Sequence, residues 1–188
     1  MIDDTGPTIV TRTWGSKLLD SVEEFTLSPI NEGHRLSGTT LTLHDGIRVE
    51  IAYTVAANPD WSTRHAAVDI PALATSFDVQ VGSGDRWFID GDHRTDLDGC
   101  VDIDFGWTPA TNTLPIRRLR FTAGTPKTIR AVWLKWPELL FVPAEQTYIK
   151  RSDRRWTYES GDFAADLAVD EHGVVRTYGD PPIWRTIR

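Results

Sequence analysis

The sequence predicts an all-β fold in which one antiparallel sheet curls on itself. Short segments with alternating apolar and polar residues recur along the chain, as in strands that bury one face. The connections between them are short and rich in Gly, Pro, Asp and Asn, which favours hairpins between consecutive strands. Among 188 residues, no long segment has a helical period. We therefore expect a single domain, residues 1–188, with little helix.

The predicted strands share short length, alternation and turn residues at their ends. In chain order they are Leu36–Leu43, Ile47–Ala56, Arg64–Ile70, Ser76–Val81, Arg86–Asp90, Cys100–Phe105, Arg117–Phe121, Thr128–Lys135, Leu139–Lys150, Arg154–Glu159, Phe163–Asp170 and Val174–Tyr178. Helix is indicated only weakly at Ser16–Glu24 and as a single turn at Pro71–Thr75. Strands with one apolar face predict a concave apolar surface, whose interior must be filled by side chains, a capping helix or a ligand.

The composition disfavours several classes of partner. The net charge is -7, whereas nucleic-acid phosphates require a basic surface and anionic lipids attract basic segments. Cys100 stands alone, so neither a disulfide framework nor a Cys-based metal site is expected. The His residues have no metal-type spacing, and we predict neither a metal nor another cofactor.

The N-terminal stretch MIDDTGPTIVTRTW has no basic region followed by an apolar one, which is what a secretory signal requires. No window approaches 18 consecutive apolar residues, the length that a membrane-spanning helix needs. The sequence therefore predicts a cytoplasmic protein without a membrane span. It leaves the oligomeric state open.

The most distinctive segment is Leu97–Phe121, which reads LDGCVDIDFGWTPATNTLPIRRLRF. Within it, CVDIDFGWTPATNTLPIRRL is similar to the signature of a bacterial family named Putative glycolipid-binding. Further similarities follow in the same order along the chain, at Gly38, YTVAANPDWSTR, the turn Trp87–Gly91, the pair Gln146 and Tyr148, and FAADLAVDEHGVVRTYGDPPIWRT. The chain departs from the family pattern at Gly106-Trp107 and Ala110.

The resemblance implies an all-β spiral roll related in shape to the half-barrels of periplasmic lipoprotein carriers. It also implies that a glycolipid or a similar amphiphile binds in an apolar cavity on the concave face, without catalysis.

Two arginines interrupt apolar strand faces. Arg64 shares the alternation of Ala66 and Val68, and Arg117 shares that of Leu119. A buried guanidinium needs a partner. One interpretation is that both arginines clamp an anionic ligand group, because guanidinium matches carboxylate and phosphate geometry. The other is that internal acids neutralise them, with Asp60, Asp102 and Asp104 as candidates.

The acidic residues Asp102 and Asp104 lie about 6.5–7 Å apart on one predicted strand face. Paired carboxylates can serve glycoside hydrolysis. Cross-strand pairing with Arg118 or Arg120 is the more ordinary role. The sequence has no nucleophile elbow and no glycine-rich phosphate loop, so no catalytic residue is assigned.

Aromatic and amide side chains complete the predicted site. Trp61 follows a turn and is expected at the mouth of a cavity, whereas Gln146 and Tyr148 share an apolar face. The predicted ligand-binding residues are Tyr53, Trp61, Arg64, Asp102, Asn112, Arg117, Gln146 and Tyr148.

Three functions remain open. The first is amphiphile binding. The second is an enzyme of unknown reaction that uses Asp102, Asp104, Arg117 and Arg118. The third is a structural or interaction protein whose interior is filled by its own side chains.

Overall fold

A computed structural model describes residues 7–188 of the protein, and the first six residues of the N-terminal stretch considered above lie outside it. The fold is all-β, as predicted. The strands are β1 (Val10–Ser16), β2 (Ser21–Ile30), β3 (Gly33–His44), β4 (Ile47–Ala57), β5 (Thr63–Ile70), β6 (Thr75–Gly82), β7 (Arg86–Ile89), β8 (Asp92–His93), β9 (Asp102–Phe105), β10 (Pro126–Leu134), β11 (Phe141–Ser152), β12 (Arg155–Ser160), β13 (Phe163–Val169), β14 (Val175–Tyr178) and β15 (Trp184–Thr186).

All strands join one 15-stranded sheet with the order β8-β7-β6-β5-β4-β3-β2-β1-β15-β14-β13-β12-β11-β10-β9. Two antiparallel meanders, β1–β8 and β10–β15, make up this sheet together with β9, and they meet where β1 pairs with β15. Within each meander, consecutive strands are joined by short connections, many of which carry the Gly and Asp residues that tight turns require. At His44-Asp45-Gly46, for example, both Asp45 and Gly46 have positive φ.

The sheet curls but does not close. At one end, β9 runs parallel to β10, which is an exception to the predicted antiparallel pairing. The residue preceding it, Val101, accepts a backbone hydrogen bond from Thr63 of β5. The Thr63 hydroxyl in turn accepts one from the Ile103 amide, at 2.9 Å. These contacts bring β9 against the far meander and give the sheet an enclosed concave side.

The helix α1 (Thr113–Arg118) follows a 3-10 turn at Ala110–Asn112. Its buried residues Thr113–Ile116 help to fill the concave side. Pro115 is tolerated because it lies in the first turn, where its missing N–H is not needed. Basic residues in the last turn suit the negative end of the helix dipole.

This helix overturns the prediction of a strand at Arg117–Phe121. Alternation in IRRLRF suggested a period of 2, but the segment Thr113–Arg118 has the period of a helix. Neighbouring residues therefore no longer point to opposite faces of a sheet. The positions of Arg117 and Arg118 change accordingly.

The weak helix prediction for Ser16–Glu24 is also wrong, because β1 ends at Ser16 and β2 begins at Ser21. Along β2 the apolar Val22 is exposed whereas Glu23 is buried, and this reversal hid the strand period. The sequence also missed β1, β8 and β15. The single turn predicted at Pro71–Thr75 is present as a 3-10 helix at Pro71–Leu73.

The core lies on the concave side of the curl. Its large side chains come from both meanders and from the segment before the helix, with Trp14, Trp87, Phe105 and Trp107 among the most deeply buried. Phe105 and Trp107 stack with ring centroids 4.7 Å apart. These side chains belong to one buried apolar core.

No helix within residues 7–188 has the length and hydropathy needed to cross a membrane.

The Cys100 thiol should resist modification in the native protein. Its side chain is fully buried, and burial raises the pKa of the thiol above its ordinary value. Both effects suppress the reactive thiolate. We expect a thiol-modifying reagent to label Cys100 only after the protein is unfolded in urea. Rapid labelling without denaturant would contradict this placement.

Candidate functional site

A cavity of about 410 Å³ opens beside the helix, between the end of β9 and the second meander. Its volume lies within the usual range for small-molecule sites. Its lining residues are mostly apolar or aromatic. They are Leu18, Leu19, Asp104, Phe105, Gly106, Thr108, Pro109, Asn112, Trp133, Tyr158, Ser160, Phe163, Tyr178, Ile183 and Trp184.

Asp104 supplies the carboxylate of the cavity. One of its oxygens accepts a hydrogen bond from the Thr111 hydroxyl at 2.8 Å, and the other accepts one from the Gln146 amide at 2.7 Å. Burial raises the pKa of the Asp104 carboxyl above its ordinary value, and these two hydrogen bonds oppose that shift. Asp104 therefore has neutral hydrogen-bond donors around it.

Asn112 also lines the cavity, and both polar atoms of its side-chain amide are hydrogen-bonded. Its Oδ1 accepts a hydrogen bond from the Tyr148 hydroxyl at 2.9 Å, and its Nδ2 donates one to the Pro109 carbonyl at 3.1 Å. The turn Ala110–Asn112 places both Thr111 and Asn112 against β9 and β11. This positions a rigid polar group in an apolar wall, the arrangement that gives a ligand site its orientation.

Aromatic rings form another part of the cavity wall. Phe163 and Tyr178 stack with centroids 6.1 Å apart, and Tyr158 lies 6.2 Å from Phe163. All three belong to strands of the second meander. Phe163 is 43% exposed, so this wall reaches the molecular surface.

The rim is apolar as well. Leu18 and Leu19 line the cavity from the turn between β1 and β2, and Leu18 is 72% exposed. Exposed large apolar residues at a cavity mouth are typical of ligand-binding grooves.

Glu23 is a buried acid that contacts Thr108, one of the residues that line the cavity. The Glu23 carboxylate accepts hydrogen bonds from the Thr108 hydroxyl at 2.7 Å and the Tyr53 hydroxyl at 2.5 Å. Its second oxygen has no hydrogen-bond partner among the described residues. Tyr53 reaches Glu23 because its ring lies over Gly38, where a Cβ atom would be 2.5 Å from the Tyr53 hydroxyl oxygen.

Burial raises the pKa of Glu23 from 4.5 to about 7. As pH rises, Glu23 loses its proton at a lower pH in the unfolded chain than in the folded protein. Between these two pKa values, unfolding therefore releases a proton. The free energy of unfolding should therefore fall as pH rises from 4.5 towards 7, by about 3 kcal/mol. Glu23→Gln should remove this contribution, and the variant should be more stable than the wild type at pH 8.

Urea melts at several pH values measure this difference. Asp104 also has a raised pKa and contributes to the wild-type slope, so the comparison of wild type with Glu23→Gln isolates Glu23. Glu24→Gln, at the exposed neighbouring position, is the matched control. Parallel profiles for wild type and Glu23→Gln would contradict the assignment.

The predicted site residues form several separate groups. Gln146, Tyr148 and Asn112 join one hydrogen-bonded network with Asp104, and of the predicted ligand-binding residues only Asn112 lines the cavity in the described structure. Tyr53 lies in the Glu23 cluster.

Trp61 and Arg117 lie together, away from the cavity lining. The Trp61 ring stacks on His34 with centroids 3.7 Å apart, and the Arg117 guanidinium carbon lies 4.9 Å from the Trp61 ring centroid. Arg117 is exposed, so the expected inward guanidinium is absent here. The helix turns Arg117 outward.

Arg64 does not point into the interior of the protein. Its side chain is 36% exposed and lies 3.5 Å from the Glu32 carboxylate. It stands near the start of β5, where the pairing with β4 is irregular. Irregular pairing invalidates a face assignment made from alternation alone.

Asp102 forms an ion pair with Arg118. Pairing with Arg118 or Arg120 was one of the two roles considered for the acids. The guanidinium donates to both carboxylate oxygens, at 3.1 and 2.5 Å. Asp102 is 2% exposed and Arg118 is 17% exposed. This ion pair fixes the helix to β9 and does not line the cavity.

The cavity residues that the sequence analysis missed are mainly aromatic. Tyr158, Phe163 and Tyr178 come from three consecutive strands. The sequence shows the alternation in each of these strands, but it does not show which strand ends meet across the curled sheet. No cluster of His, Cys, Asp and Glu within residues 7–188 has the arrangement of a metal site.

Comparisons with known proteins agree with this architecture. A sequence profile of the family described as "Putative glycolipid-binding" matches residues 11–184. The structure is also similar to a DUF1089 family protein from Pseudomonas aeruginosa solved by crystallography, with a TM-score of 0.74, 28% sequence identity and coverage of 84% of this chain and 88% of that chain. A search of curated proteins gave no match. The chain therefore belongs to the family described as "Putative glycolipid-binding".

Proposed function

We propose that residues 1–188 act as one domain that binds a glycolipid or a similar amphiphile in the cavity beside the helix, without catalysis. The observation that carries this proposal is a cavity lined mainly by apolar and aromatic side chains and also by the Asp104 carboxyl group and the Asn112 amide. An amphiphile combines the same two characters, in its chain and in its head group.

The apolar part of the lining suits an alkyl chain. Its walls are Phe163, Tyr178 and Trp184, and its rim is the pair Leu18 and Leu19. Removing a chain from water is favourable by about 0.8 kcal/mol per buried CH₂ group. The exposed Leu18 provides apolar contact where the chain enters.

The polar part of the lining suits a head group with hydroxyls. Asp104 has acceptor oxygens and Asn112 has an amide, and hydrogen bonds through Gln146 and Tyr148 connect the two residues. Tyrosine and tryptophan rings next to such groups also stack on sugar faces. The membership of the family supports the same class of ligand.

Catalysis by the acid and arginine cluster is less well supported. Asp102 is buried against Arg118, and Arg117 lies over Trp61 outside the cavity lining. A general acid or base must reach the reacting atom. Among the four residues of the rival enzyme hypothesis, Asp104 is the one that faces the cavity in the described structure.

Native mass spectrometry of freshly purified protein, followed by organic extraction, tests whether an amphiphile copurifies. Calorimetric titration with octyl glucoside, below its micelle-forming concentration, tests binding directly. We expect octyl glucoside to bind and free glucose to bind far more weakly, because the chain contributes apolar burial. Absence of both copurified lipid and octyl glucoside binding would overturn the proposal.

Phe163→Ala locates the site. Phe163 lines the cavity, and its truncation should weaken octyl glucoside binding about fivefold, corresponding to roughly 1 kcal/mol of lost apolar contact. Leu41→Ala is the matched control, because Leu41 is also 43% exposed but lies outside the cavity lining. Equal effects of both variants would place the ligand elsewhere.

A further inference from the structure

The ionisable groups that line the cavity include an acid but no base. Its lining, in the part of the chain that the structure describes, includes the Asp104 carboxyl group and no Lys, Arg or His side chain. The arginines considered as anion clamps are engaged elsewhere: Arg64 with Glu32, Arg117 with Trp61 and Arg118 with Asp102.

Asp104 itself has no cationic partner. Its hydrogen bonds come from the neutral Thr111 hydroxyl and the neutral Gln146 amide. Each carboxylate oxygen can accept a further hydrogen bond. A hydroxyl group placed against this carboxyl group therefore finds a hydrogen-bond acceptor. An anionic group finds a like charge when Asp104 is ionised.

We infer that the cavity selects an uncharged, hydroxyl-bearing head group, and that Asp104 is the residue that excludes anionic heads such as phosphate, sulfate or uronate. This inference rests on the proposed function and names the ligand class of the same site. Neutral sugar hydroxyls donate to Asp104 and exchange hydrogen bonds with Asn112 and Ser160, all of which line the cavity.

When Asp104 is ionised before binding, an anionic head group is disfavoured by one of two routes. An anionic head beside the ionised carboxylate is repelled, since like charges within a few ångströms disfavour the charged form. If Asp104 takes up a proton instead, that proton uptake subtracts from the binding free energy. A neutral head incurs neither penalty.

Octyl glucoside and octyl glucuronide are the probes, because they share chain and ring and differ in a hydroxymethyl against a carboxylate. We expect wild-type protein at pH 7 to bind the glucuronide at least about tenfold more weakly, the equivalent of one pKa unit of interaction. Residual glucuronide binding should be accompanied by proton uptake, which calorimetry in buffers of different ionisation enthalpy detects.

Asp104→Asn should bring the two affinities to within about threefold of each other, because the amide removes the charge. Asn retains the acceptor for Thr111, and rotation of the Gln146 amide restores the second hydrogen bond. Asp166→Asn is the control, since Asp166 is an exposed carboxylate outside the cavity lining, and it should leave the preference unchanged.

Equal or tighter binding of the glucuronide to the wild type would overturn the inference while leaving the proposed function intact. That comparison needs no variant, so it decides the matter even if Asp104→Asn fails to fold. Failure of both probes to bind, with no copurified lipid, would overturn the proposed function and this inference with it.

Discussion

Arg118→Met should lower the free energy of unfolding by about 3–5 kcal/mol. The substitution keeps an unbranched apolar stem but removes the guanidinium that donates to both oxygens of Asp102. Asp102, 2% exposed, would then be a buried charge without a partner, which is the costly outcome. Urea melts with a two-state analysis measure the loss.

The neighbouring Arg117→Met is the matched control. Arg117 is exposed and contacts the Trp61 ring, so its loss should stay near 0.5–1 kcal/mol, the value of an exposed cation–π contact. Adding Asp102→Asn to Arg118→Met should recover part of the stability, because it removes the stranded charge. A small loss in Arg118→Met, or no rescue, would show that the ion pair does not hold the helix.

Leu167→Ala should also be strongly destabilising, by about 2–5 kcal/mol. Leu167 is 1% exposed in β13 and is paired with Trp156 on one side and Tyr178 on the other. Truncation removes apolar burial and leaves a cavity between these strands, and both effects reduce stability.

Its control is Asp166→Ala, one residue away on the solvent side of the same strand. Asp166 accepts an exposed hydrogen bond from the Thr157 hydroxyl, and its removal should change stability by no more than about 0.5 kcal/mol. Similar losses for the two variants in urea melts would contradict the face assignment for β13.

The sequence predicted the fold best where alternation and burial agree. Along β4, Val49, Ile51, Tyr53 and Val55 are buried, and both ends of the strand are close to the prediction. It failed along β2, where Glu23 is buried and Val22 is exposed. Long-range contacts with Thr108 and Tyr53 accommodate that acid, and no local pattern reveals them.

The candidate site was predicted only in part, for a related reason. Gln146 and Tyr148, which were predicted to share a face, contact each other, and Tyr148 also donates a hydrogen bond to Asn112. The arginines were misplaced because α1 replaced a predicted strand, and a helix exchanges the inward and outward positions of Arg117 and Arg118. The aromatic wall depends on which strand ends meet across the curl, which is a property of the whole topology.

The pairing of β1 with β15 has a consequence for the order in which the protein is made. The first meander, β1 to β8, pairs only consecutive strands, so it can assemble while the rest of the chain is still being synthesised. The free edge of β1 then has no partner until Trp184–Thr186 arrives. An unpaired edge is a template for association with other chains. The edge of β1 is therefore open to association with other chains until β15 has been synthesised.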